Sequence, residues 1–203
     1  SLSLEVEGAK LVLSDKDGNI IDEWTSSKEE HIMKGLIIGE TYTLHEEVSA
    51  EGYVKASDIT FTFKEDQQKT IMIDKIVSVS KTDVTGEKEL EGAHIQVTDE
   101  DGKIVDEWIS TKESHHINNL VEGKIYTLTE TTAPDGYIKA ESITFEVSTD
   151  KEDQFIVMKD KQVSFKKIDQ NGHVVVGAKL QIVEKDSQKV IETFVTDGNI
   201  YYS

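Results

Sequence analysis

The sequence has no cysteine, one proline, and no apolar run long enough to cross a bilayer as a helix. Without cysteine there is no disulfide framework. That suits a cytosolic protein, and it equally suits an extracellular one whose domains are held by some other covalent bond. No signal-peptide pattern opens the chain. Positive charge is scarce, with 22 Lys and Arg against 40 Asp and Glu, a formal charge of −18 over 203 residues. Such a surface is well hydrated and speaks against nucleic acid or an anionic membrane as partner. Neither a phosphate loop nor a nucleophile elbow is present, so a turnover enzyme is not expected and no cofactor is implied.

What the chain does have is alternation. Its hydrophobic content of 36% is modest, but it is spread over short runs rich in Val, Ile, Thr, Tyr and Phe, the pattern of strands with one buried face. The runs recur. EVEGAKLVLSDKDGNIIDEW at 5–24 returns as ELEGAHIQVTDEDGKIVDEW at 89–108, and the match continues through Tyr42-Thr43-Leu44 against Tyr126-Thr127-Leu128 and Gly52-Tyr53 against Gly136-Tyr137. VSVSKTD at 77–83 is mirrored by VSFKKID at 163–169. This period implies an all-β chain of tandem sandwich repeats, with units at 1–75, 76–161 and 162–203. The middle unit is complete, the first lacks a counterpart of VSVSK, and the third stops about halfway, as in a piece of a longer array. In the middle unit, strands are expected near 76–83, 92–98, 103–109, 114–117, 124–131, 142–147 and 154–160. The near absence of linkers between units implies a stiff rod.

Three ionisable residues fall on apolar faces. Tyr126, Leu128 and Glu130 share parity, so Glu130 follows two core residues inward before the turn Ala133-Pro134-Asp135-Gly136 stops the strand. Lys81 follows Val77 and Val79, and Asp160 follows Ile156 and Met158. The same positions recur as Glu46 and Asp74 in the first unit and as Lys167 in the third. An unpaired carboxylate in a core costs several kcal/mol, so such groups must be neutral, paired or chemically employed. In a core, desolvation favours neutral amine and neutral acid, and a neutral amine is a nucleophile. A lysine placed against a carboxyl, with a second carboxyl to relay protons, can therefore condense to an amide. The bland alternative is a buried ion pair that never reacts.

These residues carry a resemblance. The middle unit resembles the B-type repeat of Gram-positive collagen adhesins and related surface and pilus proteins. The shared features are Lys81 in VSVSKTD, the Glu-Gly-Ala that opens the next strand, YTLTETTAPDGY with Glu130, and an acceptor, Asp160, ending FIVMKD. The resemblance implies a transthyretin-like or Ig-like β-sandwich that forms an intramolecular Lys–Asp isopeptide bond autocatalytically, with Glu130 catalytic and Lys81 and Asp160 joined. By the same likeness Glu46 is the catalytic residue of the first unit and Asp74 its acceptor, with AEGY at 50–53 in place of APDGY, while Lys167 is the donor of the third. The implied role is a stalk or spacer outside the cell, on a wall-anchored surface protein. The implied partners are neighbouring repeats, with a host ligand reached through other domains and the chain itself a monomer.

A ligand-binding module recognising a host protein or glycan is the other reading. Trp24 and Trp108 offer it little, because equivalent positions in a repeat argue for structure. The acidic turns Asp15-Lys16-Asp17-Gly18 and Asp99-Glu100-Asp101-Gly102 lack full calcium-loop spacing and read as hairpin turns. His115-His116 has no partner set at zinc spacing. Docking of Lys167 from one chain beside Glu46 and Asp74 of another is a further possibility that the uneven frame raises.

Overall fold

A computed structural model of the chain describes residues 5–64 and 69–202; residues 1–4, 65–68 and 203, which fall in the expected first and third units, lie outside it. The first unit contains β1 (Lys10–Asp15), β2 (Ile20–Thr25), β3 (Thr41–Val48) and β4 (Ile59–Thr62). The middle one contains β5 (Val77–Asp83), β6 (His94–Thr98), β7 (Ile104–Ile109), β8 (His115–His116), β9 (Ile125–Thr132), β10 (Tyr137–Ile138), β11 (Ile143–Glu146) and β12 (Gln154–Gln162). Then follow β13 (Ser164–Phe165), β14 (Lys179–Val183), β15 (Val190–Val195) and β16 (Tyr201–Tyr202). No helix occurs among the described residues.

In the middle unit two four-stranded sheets face each other, ordered β10-β12-β5-β8 and β11-β9-β6-β7. Alternation along each strand sends Val77, Val79, Ile95, Val97, Tyr126, Leu128, Ile156 and Met158 into one shared core. The first and last strands of the unit, β5 and β12, lie side by side and parallel, from Val77↔Gln154 to Asp83↔Asp160. The hairpin between β6 and β7 is set by Asp99, whose carboxylate accepts the N–H groups of Asp101 (3.1 Å) and Lys103 (2.8 Å). Asp15 does the same for Asp17 and Asn19, so both acidic turns spend these oxygens on their own backbones.

The first unit repeats only one of the two layers, a sheet ordered β2-β1-β3-β4. Its core is correspondingly small: Leu13, Tyr42 and Leu44 are buried, with Leu11, Trp24, Phe61 and Met72 packed partly covered against them. The expected last strand, ending at Asp74, keeps its alternation, with Ile71 and Ile73 outward and Met72 and Asp74 half-buried, yet forms no ladder. The counterpart of that strand, β12, finds its backbone partners on β5, and no counterpart of β5 occurs among the described residues of the first unit. Residues 162–202 form two separate strand pairs, β13-β16 and β14-β15, and none of the residues 162–200 is fully buried.

The first and middle units are latched together rather than strung. Val54, from the loop after β3, is 1% exposed and belongs to the middle unit's core. Lys55 donates its N–H to the Leu120 carbonyl at 2.9 Å, and Gly52 donates its own to Asn118 Oδ1 at 2.8 Å. Between them lies a buried polar cluster. Lys75 Nζ donates to the Ser148 carbonyl, to Ser148 Oγ at 3.0 Å and to the Asp150 carbonyl at 2.8 Å, with Glu122 3.8 Å away. Glu122 also receives the N–H and hydroxyl of Ser57 and the amine of Lys151. Burial pushes Glu122 up, but the bonds from Ser57 and Lys151 outweigh it and hold the carboxyl below its usual range.

Candidate cross-link site

The centre of the middle unit is built by three strands. On β9 the inward parity of Tyr126 and Leu128 carries Glu130 to full burial. On β5 the valines carry Lys81 inward to 2% exposure, and on β12 Ile156 and Met158 carry Asp160 to 0%. Because β5 and β12 are parallel and adjacent, Lys81 opposite Met158 stands within reach of Asp160, two residues on. Lys81 Nζ lies against Asp160 Oδ1 in a very close ion pair and 3.2 Å from Glu130 Oε1. Lys81 Nζ, Glu130 Oε1 and both Asp160 oxygens have no hydrogen-bond partner of ordinary geometry, and no water-exposed surface. These four atoms have only one another.

Glu130 is anchored from its other side. The turn after β9, closed by the Tyr137 N–H donating to the Pro134 carbonyl at 3.1 Å, brings the chain back so that Ala140 donates its N–H to Glu130 Oε2 at 2.6 Å. Gly136, at φ 81°, supplies the left-handed residue the turn needs. Burial is the main influence on Glu130 and raises its pKa; the Ala140 N–H and the Lys81 charge oppose this, and Asp160 adds to it. The result is a carboxyl biased toward its neutral form beside an amine and a second carboxyl.

The first unit reproduces half of this. Glu46 is fully buried on β3, and Ala56 donates its N–H to Glu46 Oε2 at 2.6 Å. The turn is the same as in the middle unit, with Tyr53 N–H to the Ala50 carbonyl at 3.1 Å and Gly52 at φ 80°. Replacement of Pro134 by Ala50 therefore leaves the turn intact, since glycine rather than proline supplies its unusual backbone angle. Burial raises Glu46 to about 7 and Asp74 to about 6. Among the described residues no lysine pairs with either. Lys167, beyond β13, is exposed, its amine 3.4 Å from the Ile168 carbonyl. The described residues there include no counterpart of β9 or β12 to cover it.

Two features escaped the sequence reading. His115 stacks on Trp108 at 4.0 Å between ring centroids and meets Asp106 at 2.9 Å, and His31 does the same with Trp24 at 4.1 Å and Asp22 at 2.8 Å. Each tryptophan is thus half of a recurring Asp–His–Trp pack on the sheet, and the matched Trp-to-His spacing in both repeats was its signal. The Lys75–Glu122 cluster is the second, and it gives no such signal, because its members are far apart in sequence.

Residues 3–76 and 75–162 each match the SpaA family, a prealbumin-like fold domain, and the chain belongs to that family. Its all-β fold of tandem transthyretin-like domains is therefore as the resemblance implied. Among solved structures, the Bacillus anthracis TIE protein aligns over 97% of this chain at 23% identity and TM-score 0.39, and this chain spans 40% of that one. The shaft pilin SpaA from Lactobacillus rhamnosus GG aligns over 78% of this chain and 88% of its own at 15% identity and TM-score 0.37. The pilus adhesin SpaC from the same organism, in an open conformation, aligns over 79% of this chain and 30% of its own at 15% identity and TM-score 0.39. No curated protein matches the sequence significantly.

Proposed function

We propose that this chain is part of the stalk of a Gram-positive surface protein, adhesin or pilus, built of repeat units at 1–75, 76–161 and 162–203 and stiffened by an autocatalytic isopeptide bond between Lys81 and Asp160. The observation that carries this reading is the contact of three buried ionisable groups where the first and last strands of a unit run side by side. A permanent ion pair with an added carboxyl would be a poor use of a core, since desolvation offsets most of its attraction. Condensation removes both charges.

In the reaction, the Lys81 amine attacks the Asp160 carboxyl carbon. Glu130, held by the Ala140 N–H, passes a proton from the amine to the departing hydroxyl and hydrogen-bonds the oxyanion that forms meanwhile. The C–N bond forms, one C–O bond breaks, and one water leaves. The three groups are already in contact, so little orientation remains to be gained. Lys81 and Asp160 are consumed, which makes this a single-turnover maturation and not an enzyme.

The bond closes a loop of roughly 80 residues, for which chain entropy suggests about 4 to 5 kcal/mol. Its mechanical effect is larger. Tension enters at the N-terminal end of β5 and leaves at the C-terminal end of β12, so the cross-link carries it past both sheets. Single-molecule pulling tests this. The native middle unit should give no unfolding step, and Glu130→Ala should add one of roughly 250 Å from the released loop. Equal step counts in the two proteins would remove the stalk reading.

A further inference from the structure

Lys81 holds its amine between two carboxyls, yet its strand loses a neighbour just there. On one edge β5 is paired with β12 as far as Asp83. On the other, β8 covers only Ser78 and Val79. Beyond Val79 that edge is closed by a strap, residues 89–93, which leads into β6. Leu90 donates its N–H to the Lys81 carbonyl at 2.7 Å, and Thr82 and Glu89 form an isolated bridge. The N–H of Lys81 is met by a side chain instead, donating to Glu89 Oε2 at 2.8 Å. The strap is anchored in its turn by Ser110, buried just past β7. Its hydroxyl donates to the Leu90 carbonyl at 2.6 Å and accepts the Ala93 N–H at 2.9 Å, and its own N–H donates to the Ala93 carbonyl at 2.8 Å. Residues 162–202 carry the same strap with one change. Val175 donates its N–H to the Lys167 carbonyl at 2.9 Å, Thr196 Oγ1 donates to the Val175 carbonyl at 2.8 Å, and Ile168 and Val174 form the bridge. Val174 stands where Glu89 stands, and a valine side chain accepts no hydrogen bond. The strap thus closes without a carboxylate, and what Glu89 adds is a fixed N–H on the lysine itself.

We propose that Glu89 is a positioning residue for the condensation of Lys81 with Asp160, acting through the Lys81 backbone rather than on the reacting atoms. Lys81 is 2% exposed, and a buried N–H that loses its acceptor draws the chain toward another. A shift of β5 at this residue carries the amine with it. The amine must stay in attacking distance of the Asp160 carboxyl carbon with Glu130 alongside, and a displacement of about 1 Å is enough to slow such a step roughly a hundredfold. This role presupposes the Lys81–Asp160 reaction, and the two fail by different outcomes of one experiment.

The full 203-residue chain is made by cell-free translation with a short labelling pulse, quenched in denaturant at intervals and followed by mass spectrometry for the loss of one water. Glu89→Val, which copies Val174, should slow that loss roughly ten- to a hundredfold. Glu89→Gln, whose amide oxygen accepts the same N–H, should react at the wild-type rate. Folding is read separately in a Lys81→Met, Trp24→Phe background, where no bond can form and Trp108 alone reports. There Glu89→Val should be folded before urea is added, so that slow water loss does not come from an unfolded population. A Glu89→Val chain unfolded in that background would make the residue structural and overturn its positioning role. Wild-type chains that never lose water would end the Lys81–Asp160 reading and this one with it. Wild-type chains that lose water no faster than Glu89→Val, or a Glu89→Gln chain as slow as Glu89→Val, would overturn the role of Glu89 and leave the reaction standing.

Discussion

Glu130 and Glu46 are the same residue in two electrostatic settings. Both are buried at the same strand position and both accept one backbone N–H, from Ala140 and Ala56. Glu130 has Lys81 at 3.2 Å, whereas Glu46, raised mainly by burial and lowered by the Ala56 bond, has the Asp74 charge as its strongest charge influence, which raises it further. The first unit should therefore respond to pH. Glu46 rises to about 7 in the fold from an ordinary value of 4.5. The folded state keeps a proton that the unfolded state has lost, so stability is full below about pH 4.5 and is lost as pH rises through about 7. Asp74, at about 6, acts in the same direction. Asp74 is only half-buried, and solvent screening there brings the combined loss to roughly 1 to 3 kcal/mol. In a Trp108→Phe background, where Trp24 alone reports, the melting midpoint should be lower at pH 8 than at pH 5, and Glu46→Gln should flatten the difference. A midpoint that rises with pH would contradict the assignment of Glu46.

At the scale of elements, the latch between the first two units combines a hydrophobic plug, Val54, with the Lys75 cluster. Lys75→Met would leave the Ser148 and Asp150 carbonyls without their donor and cost about 3 kcal/mol, borne by the interface rather than by either sheet. Unfolding in urea, followed separately at Trp24 and Trp108 in single-tryptophan variants, should then show two separated transitions in place of coupled ones. Coincident transitions would mean that the latch does not couple the units. Strand positions within the middle unit were legible because a buried face writes itself as alternation; only the short β10 was missed, two residues that pair with the end of β12. The inward Lys81, Glu130 and Asp160 were legible for the same reason. Alternation could not show that residues 70–74 would fail to pair, since a ladder depends on a neighbour as well as on the segment's own pattern. Nor could it show Lys75, whose donors reach residues more than 70 positions away.

For the whole molecule, the parallel pairing of β5 and β12 decides how load is carried. Opposed pulling on the outer ends of two parallel neighbours shears the ladder along its length, and a bond between Lys81 and Asp160 would confine that load to the few residues outside it. The same bond should protect the middle unit from proteolysis, because digestion of a cross-linked unit requires cleavage without the global opening that exposes a free chain. Under trypsin, the fragment spanning 76–161 should outlast its Glu130→Ala counterpart several-fold, and equal lifetimes would count against the bond. Lys81, Glu130 and Asp160 meet only in the middle unit among the described residues. The most direct test of a bond there is the intact mass of the denatured 203-residue chain beside the Glu130→Ala variant. A Lys81–Asp160 bond gives a wild-type mass one water below that of the sequence and a variant mass equal to its sequence; a wild-type chain at full mass would contradict the bond.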